Sequence, residues 1–339
     1  MISDNDILFA QNELKNKKIG IIGDFCVDIY WDADMTRSEL SRETPHFPLP
    51  VVNERFYPGA GGNVANNIAA LKPGKLCAMF LYGDDWRAKI LFDALKKAGI
   101  NIDYAVECPG RFTNAYCKPM RRGISDTVYE DPRLDFDNYE PVNAETEDRV
   151  IAALRKMADE VDVLCVADQF RYGIITERVR NEIIALARGG LTVTVDSRYN
   201  IAKYTDCILK PNEVECWRAV YGNEEYLNAD TDAFKTAAKR LAEKNNSRVL
   251  CTLGARGAYF TDGVNGTDIP AKKLSPPLDI CGAGDTSLSA FTCCLAAGLA
   301  PEKAAGIAAL ASAVTVKKIG VTGTATFEEI RNSEFGIRN

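Results

Sequence analysis

Short apolar runs alternate with helix-like stretches along most of this chain, and the runs tend to end on Gly, Asp or Asn. Residues 18–22 lead into Gly23-Asp24, 76–82 into Gly83-Asp84, 161–167 into Asp168, 191–195 into Asp196, 207–210 into Pro211-Asn212 and 248–253 into Gly254. Helical spacing marks 63–71, 88–98 (stopped by Gly99), 176–187, a stretch from Asn212, and 232–244. This alternation predicts an α/β fold, a mostly parallel sheet sandwiched by helices. Ligands of such sheets sit beyond the carboxyl ends of the strands. Asp24, Asp168, Asp196, Asn212 and Gly254 are therefore expected along one edge.

Two stretches break the pattern. Residues 25–57 hold no clear helix and carry Pro45, Pro48 and Pro50, and 111–139 alternate polar and apolar residues. Both read as hairpin-like insertions. The expectation is one domain over residues 1–339 with a small discontinuous β-lid at about 25–57 and 111–139; two unrelated surface loops are the alternative. A net charge of −6 argues against nucleic acid as a partner. The eleven cysteines are scattered, with no C-x-x-C pair, which fits reduced thiols in a cytoplasmic protein. His46 is the only histidine, so neither a histidine triad nor a multi-histidine metal site is expected. Residues 1–18 are polar and unlike a signal peptide, and no apolar run is long enough for a membrane span.

Four segments suit ligand chemistry. Asp279-Ile280-Cys281-Gly282-Ala283-Gly284-Asp285 precedes an apolar helix. Small residues let backbone approach a ligand, and free N–H groups at a helix start favour an anion. Asp285 at that start can accept a proton, or it can be an ordinary helix cap. Gly59-Ala60-Gly61-Gly62-Asn63 is a Gly-rich turn feeding a helix, and Asp24 and Asp28 are acids that could accept sugar hydroxyls. Asn212 and Glu215 share a helix face and could orient water around Mg²⁺, or could form a capping box. Thr252-Leu253-Gly254-Ala255-Arg256-Gly257 could pass close to a phosphate, or turn a hairpin into residues 258–260.

Taken in order, Gly59 to Asn63, Asn212-x-x-Glu215, Thr252-x-Gly254-x-x-Gly257 and Asp279-x-x-Gly282-Ala283-Gly284-Asp285 resemble the ribokinase-like (PfkB) carbohydrate kinases. Gly23-Asp24-x-x-x-Asp28-x-Tyr30-Trp31, Ser41-Arg42, Arg133-Leu134-Asp135-Phe136 and Lys318-Ile319-Gly320 look most like the kinase domains that phosphorylate D-glycero-D-manno-heptose 7-phosphate at O1. The resemblance implies a ribokinase-like fold and ATP-dependent phosphorylation of a sugar or sugar phosphate. Asp285 would be the general base, and the N–H groups of Gly282, Ala283 and Gly284 the anion hole. Asp24, Asp28, Gly61, Gly62 and Asn63 would grip the sugar, with Arg42 among the cations for a substrate phosphate, beside Arg122, Arg171 and Arg198. Asn212 and Glu215 would serve Mg²⁺ and phosphate, Glu215 through water. Thr252, Gly254 and Gly257 would line the ATP site, and Asp279 would help hold a monovalent cation, often K⁺ in this family. A homodimer through the β-lid is implied, with no membrane or nucleic-acid partner. Ribose, a ketose or a nucleoside as acceptor, and a silent binding protein on the same fold, are the alternatives.

Overall fold

Strands that are apolar on both faces need cover on both, and this requirement sets the layering. The structure, a computed structural model, describes residues 2–320 and 322–335. Chain order runs α1 (Asp4–Leu14), β1 (Lys18–Gly23), β2 (Phe25–Asp34), β3 (Val51–Ala60), α2 (Gly61–Ala70), β4 (Lys75–Met79), β5 (Leu81–Tyr82), α3 (Trp86–Lys97), β6 (Val106–Glu107), β7 (Ala115–Arg122), β8 (Val128–Glu130), β9 (Leu134–Phe136), α4 (Ala144–Ala158), β10 (Val163–Asp168), α5 (Glu177–Arg188), β11 (Thr192–Ser197), β12 (Ile208–Leu209), α6 (Glu213–Tyr221), α7 (Thr231–Lys244), β13 (Arg248–Thr252), β14 (Ala258–Thr261), β15 (Gly266–Ile269), α8 (Ala283–Ala296), α9 (Pro301–Thr315) and α10 (Phe327–Phe335).

The central sheet has eight strands in the order β15-β14-β13-β12-β11-β10-β1-β4. Pairing is parallel from β13 to β4, while β14 and β15 close the edge antiparallel. Successive residues divide between two apolar layers. Ile19, Ile21, Cys165 and Ala167 face α1, α2, α8 and α9, whereas Ile22, Leu164 and Val166 face α4, α5, α6 and α7. The mostly parallel sheet flanked by helices is the architecture that the alternation predicts. The chain moves from β1 outward to β4 and then returns to β10 on the other side of β1, which makes the β1/β10 boundary the crevice of the sheet.

The interrupting stretches form a separate five-stranded sheet. β2 pairs β3 antiparallel and β7 parallel, and β8 and β9 join β7. One face of β2 and β7 (Val27, Ile29, Ala115, Cys117) is buried in the same layer as α2 and α8. The opposite face carries Asp28, Tyr30, Tyr116 and Lys118. The strand expected over 76–82 breaks at Phe80, whose ring stacks on Phe25 at 4.5 Å; beyond it β5 pairs β6 instead of continuing the central sheet. No helix among the described residues is long and apolar enough to cross a membrane.

Candidate active site

Helix α8 starts beside Asn63 of α2, where Gly282 takes the left-handed conformation, φ +76°, which a side chain would strain. A Cβ there would also lie 3.0 Å from Asn63 Nδ2. The first turn leaves N–H groups without intrahelical acceptors. Ala283 N–H turns back to Ile280 O at 3.2 Å, which corrects its expected place in the anion hole. The N–H groups of Gly282, Gly284 and Asp285 have no protein acceptor among the described residues. They make an electropositive rim beside the Asp285 carboxylate.

Asn63, on α2, donates from Nδ2 to Asp285 Oδ2 at 2.6 Å. Its own amide oxygen accepts from Asn67 Nδ2 at 3.2 Å, and Thr286 Oγ1 donates to Asn67 Oδ1 at 2.9 Å. Ser289 Oγ shares its proton between Asp285 O on its own helix at 2.7 Å and Val64 O on α2 at 2.9 Å, and Thr292 bonds Thr194 on β11 at 2.7 Å. A polar seam, three residues per step on α8, thus joins that helix to α2 and the sheet. Burial pushes the Asp285 carboxyl up to about 6; the Asn63 bond opposes this, the charge of Asp196 adds to it, and Lys210 opposes it again.

Lys210, just past β12, is 2% exposed and its Nζ pairs with Asp196 Oδ2 at 2.7 Å. The same Nζ would lie 3.8 Å from a Cβ placed on Gly284. A buried ammonium therefore stands over the α8 rim. Burial opposes its charge, yet Asp196, and after it Glu215 and Asp285, hold its pKa above the ordinary lysine value. Glu215 is pushed up to about 7, first by burial and then by the charge of Asp196. Asn212 and Glu215 do form the capping box: Glu215 N–H donates to Asn212 Oδ1 at 2.8 Å and Asn212 N–H to Glu215 Oε2 at 2.9 Å. Glu215 Oε1 remains free of that box.

On the other side of Asp285 lies Asp28 of β2, 8% exposed, with Lys118 Nζ 3.4 Å from its Oδ1. Lys118 also donates to Tyr30 OH at 3.0 Å. Arg133 stacks over Tyr116 at 4.3 Å on the same face. Burial raises the Asp28 pKa, and the Lys118 charge opposes it.

Several expected residues sit elsewhere or do other work. Asp24 shares the strand face of Ile22, opposite α8, and its carboxylate accepts N–H bonds from Gln169, Phe170 and Ile174 at 2.7–2.8 Å. It holds a loop and is not presented to the Asp285 side. Asn63 spends its amide on Asp285 and Asn67. Gly61 and Gly62 pack against Phe25 and Pro58 at the root of β2 and β3. Arg42 lies on the exposed 38–50 loop past the far end of β2, without an ion pair among the described residues, so the structure does not bring it to Asp28. Arg171 and Arg198 flank the exposed ring of Tyr199 at 5.4 and 5.8 Å, while Arg122 is exposed at the end of β7. Gly257, φ +95°, is demanded by packing, since a Cβ would stand 2.1 Å from Ile269 O. Thr252 ends β13 beside Asn212, and Gly254, in the turn that follows, faces open space. Asp279 accepts from Cys281 and Gly320 N–H groups, both at 3.0 Å, and so ties the α8 loop to the turn after α9.

Lys118, Lys210 and the role of Asn63 were missed by the sequence reading. Lys210 closes an apolar run, and its one signal in the sequence is a lysine standing directly before Pro211-Asn212. Chemically, the site offers a carboxylate of raised pKa, an anion rim and a buried cation on one side of it, and a polar acid–lysine face on the other. Among the described residues no group of three or more acidic, Cys or His side chains could hold a metal directly.

The profile described as pfkB family carbohydrate kinase matches residues 18–327. The Bifunctional protein HldE of Geobacter metallireducens is 27% identical over 322 residues, covering 93% of this chain and 62% of that protein. Its counterpart in Geobacter sulfurreducens is 29% identical over 318 residues, with 92% and 62% covered. The chain therefore spans about 62% of the length of these curated relatives. Phosphofructokinase-2 from Escherichia coli in complex with fructose-6-phosphate superposes with a TM-score of 0.71 at 20% identity, covering 94% of this chain and 97% of that one. Arabidopsis thaliana ribokinase complexed with ribose and ATP gives 0.68 at 18%, covering 94% and 98%. At these identities the two structures speak for the fold.

Proposed function

We propose that this chain, which belongs to the pfkB family of carbohydrate kinases, transfers the γ-phosphoryl of ATP to a sugar-phosphate hydroxyl, with O1 of a heptose 7-phosphate as the leading candidate. The observation that carries this is the Asp285 carboxylate set beside free N–H groups of Gly282 and Gly284 and under the Lys210 ammonium. Phosphoryl transfer to a hydroxyl asks for little else: a base, alignment and stabilisation of charge on the moving group. Asp285 takes the hydroxyl proton as the oxygen attacks. The rim N–H groups and Lys210 meet the negative charge on the transferring phosphoryl. Asn63 keeps the carboxylate aimed and ionised.

The acceptor lies between Asp285 and the Asp28–Lys118 face of the second sheet, which serves as a lid over residues of a single catalytic domain. ATP lies along Thr252, Gly254 and Asn212. Mg²⁺ fits this donor set as a hydrated ion: Glu215 Oε1 is left out of the capping box and can accept from the water shell of a cation, and the Asp196 charge beside it favours one. It would neutralise charge on the nucleotide phosphates. A monovalent cation would take Asp279 as its charged ligand. The heptose assignment rests on the sequence resemblance and on the HldE relatives. The exposed apolar side chains of Val51, Val52, Val128, Tyr129 and Leu134 on the second sheet support a homodimer through the lid.

The test is ATP consumption with heptose 7-phosphate, fructose 6-phosphate, ribose and adenosine side by side, with the phosphorylated position read by NMR. Phosphate appearing on O1 of the heptose supports the reading. Turnover of adenosine or ribose with no activity on a sugar phosphate would overturn the substrate class.

A further inference from the structure

Asp24 and Asp168 stand next to one another at the carboxyl ends of β1 and β10, one step beyond the paired Gly23 and Ala167. They are 3% and 1% exposed. In-register neighbours on parallel strands point to the same face, so both carboxylates enter the same buried space. Three backbone N–H groups from the 169–174 loop already occupy Asp24, one on Oδ1 and two on Oδ2. Asp168 Oδ2 accepts from Ser197 Oγ at 2.6 Å, Tyr204 OH at 3.0 Å and Asn200 Nδ2 at 3.3 Å. Asp168 Oδ1 has no partner among the described residues. A bare, buried carboxylate oxygen is costly, and a second anion beside it makes it more so. Asp24 has one acceptor position left of the roughly four that a carboxylate offers.

We propose that Asp168 Oδ1 carries a proton and donates it to Asp24, so that the two acids act as one staple on the 169–174 loop and position the acceptor side of the site. The loop connects the staple to the second sheet: Phe170 sets its ring edge against Tyr116, 6.3 Å between centroids, and Tyr172 O accepts from Arg111. Asp24 and Asp168 are positioning residues here, acting through Phe170 on the face that carries Asp28 and Lys118. The charged and titratable groups around the pair are Arg180 from α5, Tyr204 beyond β11, and Arg111 from the segment before β7. Only the two arginines can offset a second negative charge, and neither hydrogen-bonds the pair among the described residues.

The direction of titration agrees with the geometry. Burial, then the charge of Asp168, pushes Asp24 up to about 7, and burial raises Asp168 as well. The pair therefore holds one shared proton, which is lost as the pH rises through about 7 and leaves two anions side by side, loosening the loop.

Difference infrared spectroscopy of the full chain in heavy water tests the proton directly. The wild type should show protonated-acid carbonyl bands at about pH 6 that fade by about pH 9, and Asp168→Asn should lose one component of them while those of Asp285 and Glu215 remain. Identical spectra for wild type and Asp168→Asn at neutral pH would overturn the proposal. This arm needs no substrate, so its failure is distinct from failure of the kinase reading. In kinetics, KM for the acceptor should rise in the wild type above neutral pH, by at most about tenfold per pH unit for one proton. Asp168→Asn, a permanent donor, should hold KM flat with kcat following the wild type. Asp168→Ala should show the high KM at every pH. Asp168→Asn retaining the wild-type rise would also refute it.

Discussion

Asn63→Ala isolates what holds the catalytic carboxylate ready. Asn63 Nδ2 lies 2.6 Å from Asp285 Oδ2 and is the leading influence that keeps the Asp285 pKa from climbing further under burial. A hydrogen bond to a charged group contributes roughly 1.5–3 kcal/mol, and partial exposure of Asp285 argues for the lower end, about 1.5 kcal/mol. That equals about one pKa unit. The acid limb of kcat/KM should therefore move from about 6 in the wild type to roughly 7 in the variant. At about pH 6 half of the wild type and about a tenth of the variant are ionised, a fivefold deficit; at about pH 8.5 both are ionised and the deficit should vanish. Asn67 keeps the Asn63 backbone oxygen as acceptor, so the helix pair should survive. The assay is kcat/KM against pH with the best acceptor from the panel. A deficit of the same size at every pH, carried by KM for the acceptor, would refute this reasoning and restore Asn63 to the sugar grip.

Other consequences can be measured separately. Asp285→Asn should lower turnover by roughly 10²–10⁴-fold while acceptor binding, read by calorimetry, persists. Lys210→Met breaks a buried ion pair and leaves Asp196 unpaired, so stability in urea should fall by about 3–5 kcal/mol; where the variant still folds, the acid limb should shift upward because a cation beside Asp285 is gone. Gly257→Ala forces a methyl into Ile269 O and should lower Tm well beyond Gly254→Ala, which meets only open space and bears only its φ strain of about 1–2 kcal/mol. Equal Tm losses in the two would mean that backbone conformation, and not packing against β15, explains Gly257.

Much of the frame was legible because recognisable residues stand at or near the strand ends: Asp168, Asp196 and Gly254 all lie at the carboxyl ends of strands of one mostly parallel sheet. The face of each side chain was not. β1 is buried on both sides, so its sequence shows no alternation from which the direction of Asp24 could be read. Asp24 therefore looked like a partner of Asp28, although the two belong to different sheets and point to different spaces. Lys210 was hidden for a related reason. A lysine at a strand end reads as solvated, and only the fold reveals Asp196, fourteen residues earlier, against it. The capping box of Asn212 and Glu215 shows the reverse, a local pattern that the sequence offered as an alternative and the backbone adopts.

The hydroxyl and amide seam between α8, α2 and β11 has a consequence for how this protein can change. Apolar contacts tolerate sliding; Thr286, Ser289 and Thr292 tolerate less of it, because each has a hydrogen-bond partner fixed on a neighbouring element. The helix is keyed, like a shaft in a slot, at one axial setting. A core redesigned with greasy residues of equal volume could keep its melting point and yet let α8 drift by a fraction of a turn. Stability screens would rank such a variant as successful, while Asp285 would meet its hydroxyl at the wrong height.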